Sequence, residues 1–504
     1  MEITMASIQT KKSFLIYLGI ALAVVILGNL ISRNWFFRLD LTDSKMYSLS
    51  PSSKAVVSKI DDLLTAKVYY SENLPGEYGN SRRYLQDILE EYAAYSGGNF
   101  RFEFYEPAND AQLEEDAQKY GIQPVQLQVI ENDRQEIKRV HMGMVLLYED
   151  RREVLPVIQS TAGLEYTITT KIKKMVDDSR QVVGIAEFPD SPAKFQNLRS
   201  ILAEGYEVRS VNLEENVPTD VDLLIMGGIT DSVTGPELVS LMSYIWRGGS
   251  FLLAQNSVQV DLQTQRGSLI QSNIFEILKP FGLTLEKNLV LDKVSGYVQV
   301  LERRGPFQIP SAHPYPFFPV IRNFSDHLAV EGLEEISLIF TSEISYEPDK
   351  QNIQPLFYTS NQSFEVSQFI NLSPLKNPVF ESLNQPAKVV GVFATAQPDS
   401  ANPATAQMML IADNDFLSDG GGGNRPENAI FVLNAIDVMN GKEELVALRS
   451  REITTRPLQV IDAGSRTTWK TINILLPALL VLAFGLAQWR LESNRTRRLE
   501  EIYG

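Results

Sequence analysis

The chain has 504 residues, 44% of them hydrophobic and 21% charged, with a formal net charge of −16 and no cysteine. That length calls for two or three domains and that balance for globular ones, while the acidity excludes a nucleic-acid partner and broad adsorption to anionic lipid, which need a basic face. Without cysteine there are no disulfides, no thiolate metal sites and no cysteine nucleophile.

Two runs depart from the average. Residues 14–31 are apolar apart from Tyr17, Gly19, Gly28 and Asn29, with Lys11 and Lys12 before them and Arg33 after; residues 472–489 form a similar run, interrupted by Pro477, Gly485 and Gln488. Each has the length that crosses a bilayer, roughly 17–25 residues, and soluble helices seldom stay apolar on every face for so long. One transmembrane helix near each terminus is therefore expected. The small residues Ala21 and Ala23 lie inside the first run and no small-x-small site follows it, so an uncleaved anchor is expected. Arg490, Arg495, Arg497 and Arg498 crowd the C-terminal tail, and short basic flanks stay in the cytoplasm while long acidic segments cross. Both termini are expected inside and the acidic middle outside. The expected order is 1–34 for the cytoplasmic N-terminus and first helix, 35–180 and 181–465 for two α/β domains, 466–490 for the second helix and 491–504 for a basic tail.

In the first domain, residues 66–70 read as a strand, and Leu85, Ile88, Leu89 and Tyr92 share one face of a helix over 84–95. Phe100, Phe102 and Phe104 alternate with charges at the period of a half-buried strand. Asn109 signals a helix start and Gly121 a stop. Pro124 leads into a strand over 125–130, another follows over 140–147, and a helix after Glu165 turns Ile168, Ile172 and Met175 inward. This order resembles a thioredoxin-like fold with Pro124 at the place of its cis-proline; a generic α/β sandwich is the alternative. The redox motif is missing, so redox chemistry is not expected.

The second domain alternates strands over 182–188, 206–213, 221–226 and 250–254 with helices over 193–204 and, started by Thr234-Gly235-Pro236-Glu237, up to Gly248. Strands apolar on both faces indicate a doubly wound parallel sheet, which the segments 388–394 and 408–412 and a helix over 428–439 rejoin. Residues 288–380, rich in proline and aromatics, read as an insertion with little regular structure.

No convincing catalytic, cofactor or metal site emerges. Asp413 and Asp415 follow a strand at its carboxyl end, where α/β sheets bind ligands, but read best as turn formers before a flexible loop, Gly420 to Gly423. That loop and Gly227-Gly228 lack the spacing and lysine of a phosphate loop. His141, His313 and His327 share no metal-ligand spacing. The stretch His313-Pro314-Tyr315-Pro316-Phe317-Phe318-Pro319 suits either a partner contact or a cover for a sheet edge.

Several motifs are familiar as a set. Arg38-Leu39-Asp40-Leu41-Thr42-Asp43-Ser44-Lys45-Met46-Tyr47-Ser48-Leu49-Ser50 resembles the opening signature of the GldG-like family of ABC-transporter auxiliary proteins. Glu106-Pro107, Gly121-Ile122-Gln123-Pro124-Val125, Val129-Ile130-Glu131-Asn132, Leu155-Pro156-Val157-Ile158-Gln159-Ser160-Thr161, Gly163-Leu164-Glu165-Tyr166, Arg247-Gly248-Gly249, Asp413-Asn414-Asp415-Phe416, Asn434-Ala435-Ile436-Asp437 and Arg449-Ser450-Arg451 follow in order. The resemblance implies a two-pass bacterial inner-membrane subunit, its large domain periplasmic, working with an ABC-2 type permease and a separate cytoplasmic ABC ATPase, in some relatives for gliding motility. It also implies a second domain similar to class I glutamine amidotransferase folds and to a domain of intraflagellar transport proteins. Those amidotransferases need the cysteine this chain lacks, so the fold does not carry the activity over. The first reading is thus a non-enzymatic auxiliary subunit coupling the permease to a cargo or envelope partner. The alternatives are a membrane-anchored envelope glycan hydrolase or ligase using Asp413 and Asp415, or a structural scaffold.

Overall fold

The computed structural model describes residues 18–24, 48–451 and 463–503, except positions 73, 75, 132–133, 162, 178–179, 189–193, 305–306, 348–351, 369, 376 and 398–403. Contacts divide the chain into two units, one ending at Thr454 and one comprising Thr455–Gly504.

Helix α1 (Pro51–Val57) starts where Ser50 accepts a hydrogen bond from the Ser53 N–H and where Pro51 has no donor to lose. Strands β1 (Leu64–Tyr70) and β2 (Phe100–Tyr105) run parallel, joined through helix α2 (Gly76–Tyr95). Helix α3 (Ala111–Lys119) follows, capped by the Asp110 carboxylate one residue beyond the expected start. A hairpin of β3 (Val125–Glu131) and β4 (Arg134–Val140) leads into β5 (Met142–Tyr148), β6 (Arg151–Leu155) and helix α4 (Leu164–Val176). The sheet order is β2-β1-β5-β6, with β5 antiparallel to β1 and β6 antiparallel to β5. Leu85, Ile88, Leu89 and Tyr92 of α2 and Ile168, Ile172 and Met175 of α4 bury one face of β1, at Ala66, Val68 and Tyr70. Ala117 and Ile122 cover the other, at Tyr69 and Val145.

The place expected for Pro124 is corrected. The strand it enters belongs to the separate two-stranded hairpin β3–β4, and no cis peptide occurs among the described residues. The strand that joins β1 starts at Met142 and is buried on both faces. Val125 and Leu127, which pack toward the core, alternate with Gln126 and Gln128, a pattern that suits a ladder open to water on one face rather than a strand buried on both.

The larger sheet is built from β7 (Val182–Glu187), helix α5 (Gln196–Leu202), β8 (Glu207–Asn212), β9 (Leu223–Gly227), helix α6 (Gly235–Trp246) and β10 (Ser250–Ala254). Thr234 and Glu237 close α6 with a reciprocal capping box, as the sequence suggests. After two long strands, β11 (Ser295–Arg304) and β12 (Phe307–Ile321), the chain returns through β13 (Asn323–Phe324), β14 (Ile353–Tyr358), β15 (Val389–Ala396) and β16 (Ala406–Ile411). Helices α7 (Pro426–Met439) and α8 (Glu443–Arg451) finish the unit. Strand order is β13-β14-β15-β16-β10-β9-β7-β8. The five strands β16 to β8 pair in parallel, while the pairings of β16 with β15, β15 with β14 and β14 with β13 are antiparallel, so the sheet is mixed rather than parallel throughout. Apolar clusters pack both of its faces.

The segment 288–380 is also more regular than its composition suggests. It holds the long β11–β12 hairpin, contributes β14 to the main sheet and has a core of its own around Leu289, Leu291, Tyr315, Phe317 and Phe340. Prolines mask the strand pattern in β12, yet edge positions tolerate them.

The second unit contains helix α9 (Ala463–Tyr503), in which Gly464–Arg490 holds an 18-residue window of mean hydropathy 1.9 and is long enough to cross a membrane. Among the described residues it is the one such helix, not one near each terminus. The other expected span, residues 14–31, lies outside the described residues except for Leu18 to Val24, which are helical and exposed.

Candidate functional site

Open α/β sheets bind ligands outside the carboxyl ends of their strands, where strand order reverses. Here β7 lies between β8 and β9, so the reversal falls at the ends of β7 and β9. A crevice of about 510 Å³ opens there, lined by Glu187 and Asn212, the last residues of β7 and β8, and by Phe188, Lys194, Arg199 and Glu214. Two of its four charges pair with each other: the Arg199 guanidinium lies 3.0 Å from Glu187, and Ser210 donates to the same carboxylate at 2.6 Å. At the start of α5, Asp419 accepts the N–H groups of Gln196 and Asn197, both at 2.9 Å. Those are the donors a phosphate would use at a helix N-terminus.

Farther along the same edge, the ends of β10 and β16 are sealed by the chain itself. Asp413 is fully buried; its two oxygens accept the N–H of Ile339 at 2.7 Å and of Asp415 at 2.8 Å. The segment after Ile339 continues the seal: Asn256 Nδ2 donates to Phe340 O at 2.6 Å, and Thr341 Oγ1 and Ser342 N both donate to Ala412 O, at 2.8 and 2.9 Å. Gln255 ties back to Ile229 through both amide atoms. Phe340 takes a left-handed backbone, φ 54°, held by its ring against Phe317 and Phe318; such a conformation costs about 1–3 kcal/mol outside glycine and persists only where surroundings impose it. Burial, then the nearby Asp415 carboxylate, push the Asp413 carboxyl well above its ordinary range, against the pull of the backbone donors. Asp415 itself is exposed.

The glycine run is not the flexible loop its composition suggests. A Cβ on Gly422 would come within 2.6 Å of Phe416 O, and one on Gly423 within 2.5 Å of Leu417 O. The run folds back on 415–418 through hydrogen bonds from Gly422 N to Asp415 O and Gly423 N to Ser418 O, which presents Asp419 to α5.

A second polar cluster stitches the two sheets together. Arg449 of α8, 6% exposed, donates to Asp437 Oδ2 of α7 and to the Tyr166 hydroxyl of α4, both at 2.7 Å. It also donates to Asn434, and its guanidinium lies 4.6 Å from the Tyr166 ring centre. Tyr206 donates to the other Asp437 oxygen at 2.5 Å. Burial opposes the charge on Arg449, but Tyr166 and Asp437 outweigh it and hold the guanidinium protonated. Nearby, Glu165 accepts Ser50 N at 2.7 Å and Ser53 Oγ at 2.6 Å, and Ser52 Oγ donates to Glu444 O at 2.7 Å. Three stretches far apart in sequence, around Ser50, around Glu165 and from Asp437 to Arg449, thus meet at one seam.

The motif residues singled out in the sequence go to these places. Asp413 belongs to the seal, while Tyr166, Asn434, Asp437 and Arg449 converge on the seam. The histidines stay apart: His141 is buried between β4 and β5, with its pKa lowered by burial. His313 Nε2 lies 2.7 Å from Glu302, and His327 Nδ1 accepts the Ala329 N–H. Tyr315 and Phe317 are core residues, so that part of the aromatic stretch covers the insertion's own interior. Among the described residues, no three His, Asp or Glu side chains stand together as a metal cage. Sequence reasoning assigned no role to Arg449 or Asp437. The available signal was an aspartate inside the apolar run Ile436-Asp437-Val438-Met439, which on a buried helix calls for a cationic partner.

Comparison with known families places the chain among transport-associated auxiliary proteins. The chain belongs to the family described as ABC-type uncharacterized transport system, whose model matches residues 180–435. A second model, described as a domain of unknown function, matches 43–147. An uncharacterized protein of Borreliella burgdorferi is 20% identical over 511 residues, covering 95% of this chain and 98% of that one. Similar solved structures include the mmIFT52 N-terminal domain, with TM-score 0.34 and 13% identity over 51% of this chain and 96% of that one. A thuA-like protein from Bacteroides uniformis has TM-score 0.31 and 8% identity over 52% and 91% of the two chains. A GMP synthase component from Thermoplasma acidophilum has 0.28 and 10% over 53% and 96%.

Proposed function

We propose that this chain is a non-enzymatic auxiliary subunit of an ABC-2 type transporter, of the GldG-like kind, that couples the permease to an extracytoplasmic cargo or envelope partner. In this reading it crosses the bacterial inner membrane twice, at 14–31 and 466–490, with both termini in the cytoplasm. Residues 35–180 form a thioredoxin-like domain without its redox motif and 181–465 an amidotransferase-like one, both in the periplasm. The observation that carries the reading is the family assignment of 180–435 on a chain that also bears a 27-residue apolar helix. Energy comes from a separate cytoplasmic ATPase, since no phosphate-loop motif stands in the sequence. The role in motility or in envelope export is a further part of the same proposal.

The sealed edge weighs against a glycan hydrolase or ligase. Two carboxylates acting on one glycosidic bond must face a common opening, whereas Asp413 is enclosed and Asp415 is exposed. The experiment takes two steps. Gly420, with open space around it, is replaced by cysteine in this cysteine-free chain; Gly420→Cys is expected to react with an impermeant maleimide from outside intact inner-membrane spheroplasts. Gly485→Leu, which adds bulk at a small residue inside the apolar span of α9, is expected to lower recovery of the permease without changing membrane insertion, because membrane helices associate through close packing at small residues. Labelling only after permeabilisation would reverse the topology, and unchanged permease recovery would move the contact off this face.

A further inference from the structure

The β11–β12 hairpin has one blocked edge and one open edge. Leu301 faces Pro310 and Tyr297 faces Pro314 in the ladder. Proline has no N–H, so neither pair exchanges hydrogen bonds, and in an antiparallel ladder such pairs alternate with bonded ones. Tyr297, Gln299 and Leu301 therefore turn their backbone N–H and C=O groups away from β12, toward a side where no strand lies among the described residues. On the far side of the hairpin the turned-out positions of β12 include Pro310 and Pro314, which cannot donate. Proteins blunt exposed strand edges with proline and charge to prevent pairing; here only one of two edges is blunted. The open one also carries large apolar side chains, Tyr297 at 68% and Leu301 at 65% exposure.

We infer that the open edge of β11 pairs, antiparallel and about a two-fold axis at Gln299, with the same edge of a second copy of this chain. The sequence Tyr297-Val298-Gln299-Val300-Leu301 is self-complementary about its centre. In that register Tyr297 meets the second copy's Leu301, Val298 meets its Val300, and Gln299 meets its Gln299, whose amides both donate and accept. Aromatic–aliphatic and β-branched cross-strand pairs are the stabilising kind, and no like charges oppose each other. A two-fold interface requires such self-complementarity, whereas a strand from an unrelated partner does not. Five residues make a small contact; confinement of both copies to one membrane raises their effective concentration, and only this strength argument rests on the membrane-tethered reading.

The test uses the cysteine-free full chain in native membranes. Gln299→Cys places two thiols on the axis, at a Cα separation of about 5.5 Å, within disulfide range. Ala312→Cys, opposite Gln299 on the same hairpin, sits one strand farther from the axis. Mild oxidation is expected to give a covalent homodimer at 299, exceeding that at 312 by about tenfold, since disulfides need close Cα approach. Tyr297→Cys and Leu301→Cys, co-expressed, are expected to cross-link with each other more than either does with itself. Equal cross-linking at 299 and 312, no cross-link at 299 although the thiol reacts with maleimide, self-links dominating the mixed pair, or a product joined to a chain of another mass would each overturn the inference. All four readouts are independent of whether a permease is present.

Discussion

Asp437 at the seam and Asp413 under the seal are both carboxylates with essentially no exposure, yet their surroundings answer burial differently. At the seam a guanidinium and a phenol enclose one anion, while the Asn434 amide oxygen and the Tyr166 hydroxyl hold the guanidinium in turn. The charge is balanced there, and groups packed on both sheets fix the geometry. Burial raises the Asp437 carboxyl too, but Arg449 and the Tyr206 hydroxyl pull against it; under the seal the partners are backbone N–H groups, and burial pushes the carboxyl well above its ordinary range. The seam behaves as a joint between two bodies and the seal as a stopper within one. The joint should therefore fail through charge and the stopper through unsatisfied hydrogen bonds.

The largest expected effect follows from removing the cation. Arg449→Met leaves Asp437 buried and unpaired, which typically costs about 3–5 kcal/mol, while replacing both partners with apolar residues is far milder. Urea unfolding of the full chain in detergent should show that loss in Arg449→Met and substantial recovery in Arg449→Met/Asp437→Leu. A double variant as unstable as the single one would mean that the seam depends on packing rather than charge.

Next comes the stopper. Asp413→Asn exchanges one acceptor for a donor facing a backbone N–H, an expected loss of about 1–3 kcal/mol. Its pH dependence sharpens the contrast. Because the folded-state pKa lies above the ordinary 3.8, the native state binds this proton more tightly than the unfolded chain. That contribution is complete below the ordinary value and is lost as pH rises through the raised one. The deficit of Asp413→Asn is thus expected to shrink as pH rises and then level off; a deficit that grows with pH would show that the ionised form is the one the site favours.

The smallest effects belong to the open crevice and to the exposed Asp415. The Arg199–Glu187 pair is partly exposed, so Arg199→Ala should change stability by no more than about 1 kcal/mol. Asp415→Asn should stay within about 0.5 kcal/mol. Loss of transport-linked function in either variant at normal folding and membrane level would make the crevice or the carboxylate a working site.

Periodicity made the helices legible: the α2 face Leu85, Ile88, Leu89 and Tyr92 and the Thr234–Glu237 cap both follow from local pattern. The strands of the parallel half were equally visible, since apolar runs bounded by glycine have few other uses. What stayed hidden depends on non-local pairing. Antiparallel β15 and parallel β16 look alike in sequence, the prolines of β12 obscure a fifteen-residue strand, and Pro124 enters a hairpin that only the three-dimensional pairing separates from the sheet. The seam was half legible: its motifs were noticed as a set, but nothing in their spacing says that Tyr166 and Arg449 touch across 283 positions. The glycine run misled for a physical reason. Composition cannot distinguish glycine chosen for freedom from glycine required by backbone contact, as at Gly422 and Gly423.

The central claim, an auxiliary role beside an ABC transporter, is tested most directly by affinity recovery of the tagged full chain from native membranes in mild detergent, followed by mass spectrometry. The account predicts an ABC-2 type permease and an ABC ATPase recovered together in near-constant ratio to the chain, and still recovered with Asp415→Asn. Recovery of the chain without either transporter component, at normal expression and folding, would contradict it.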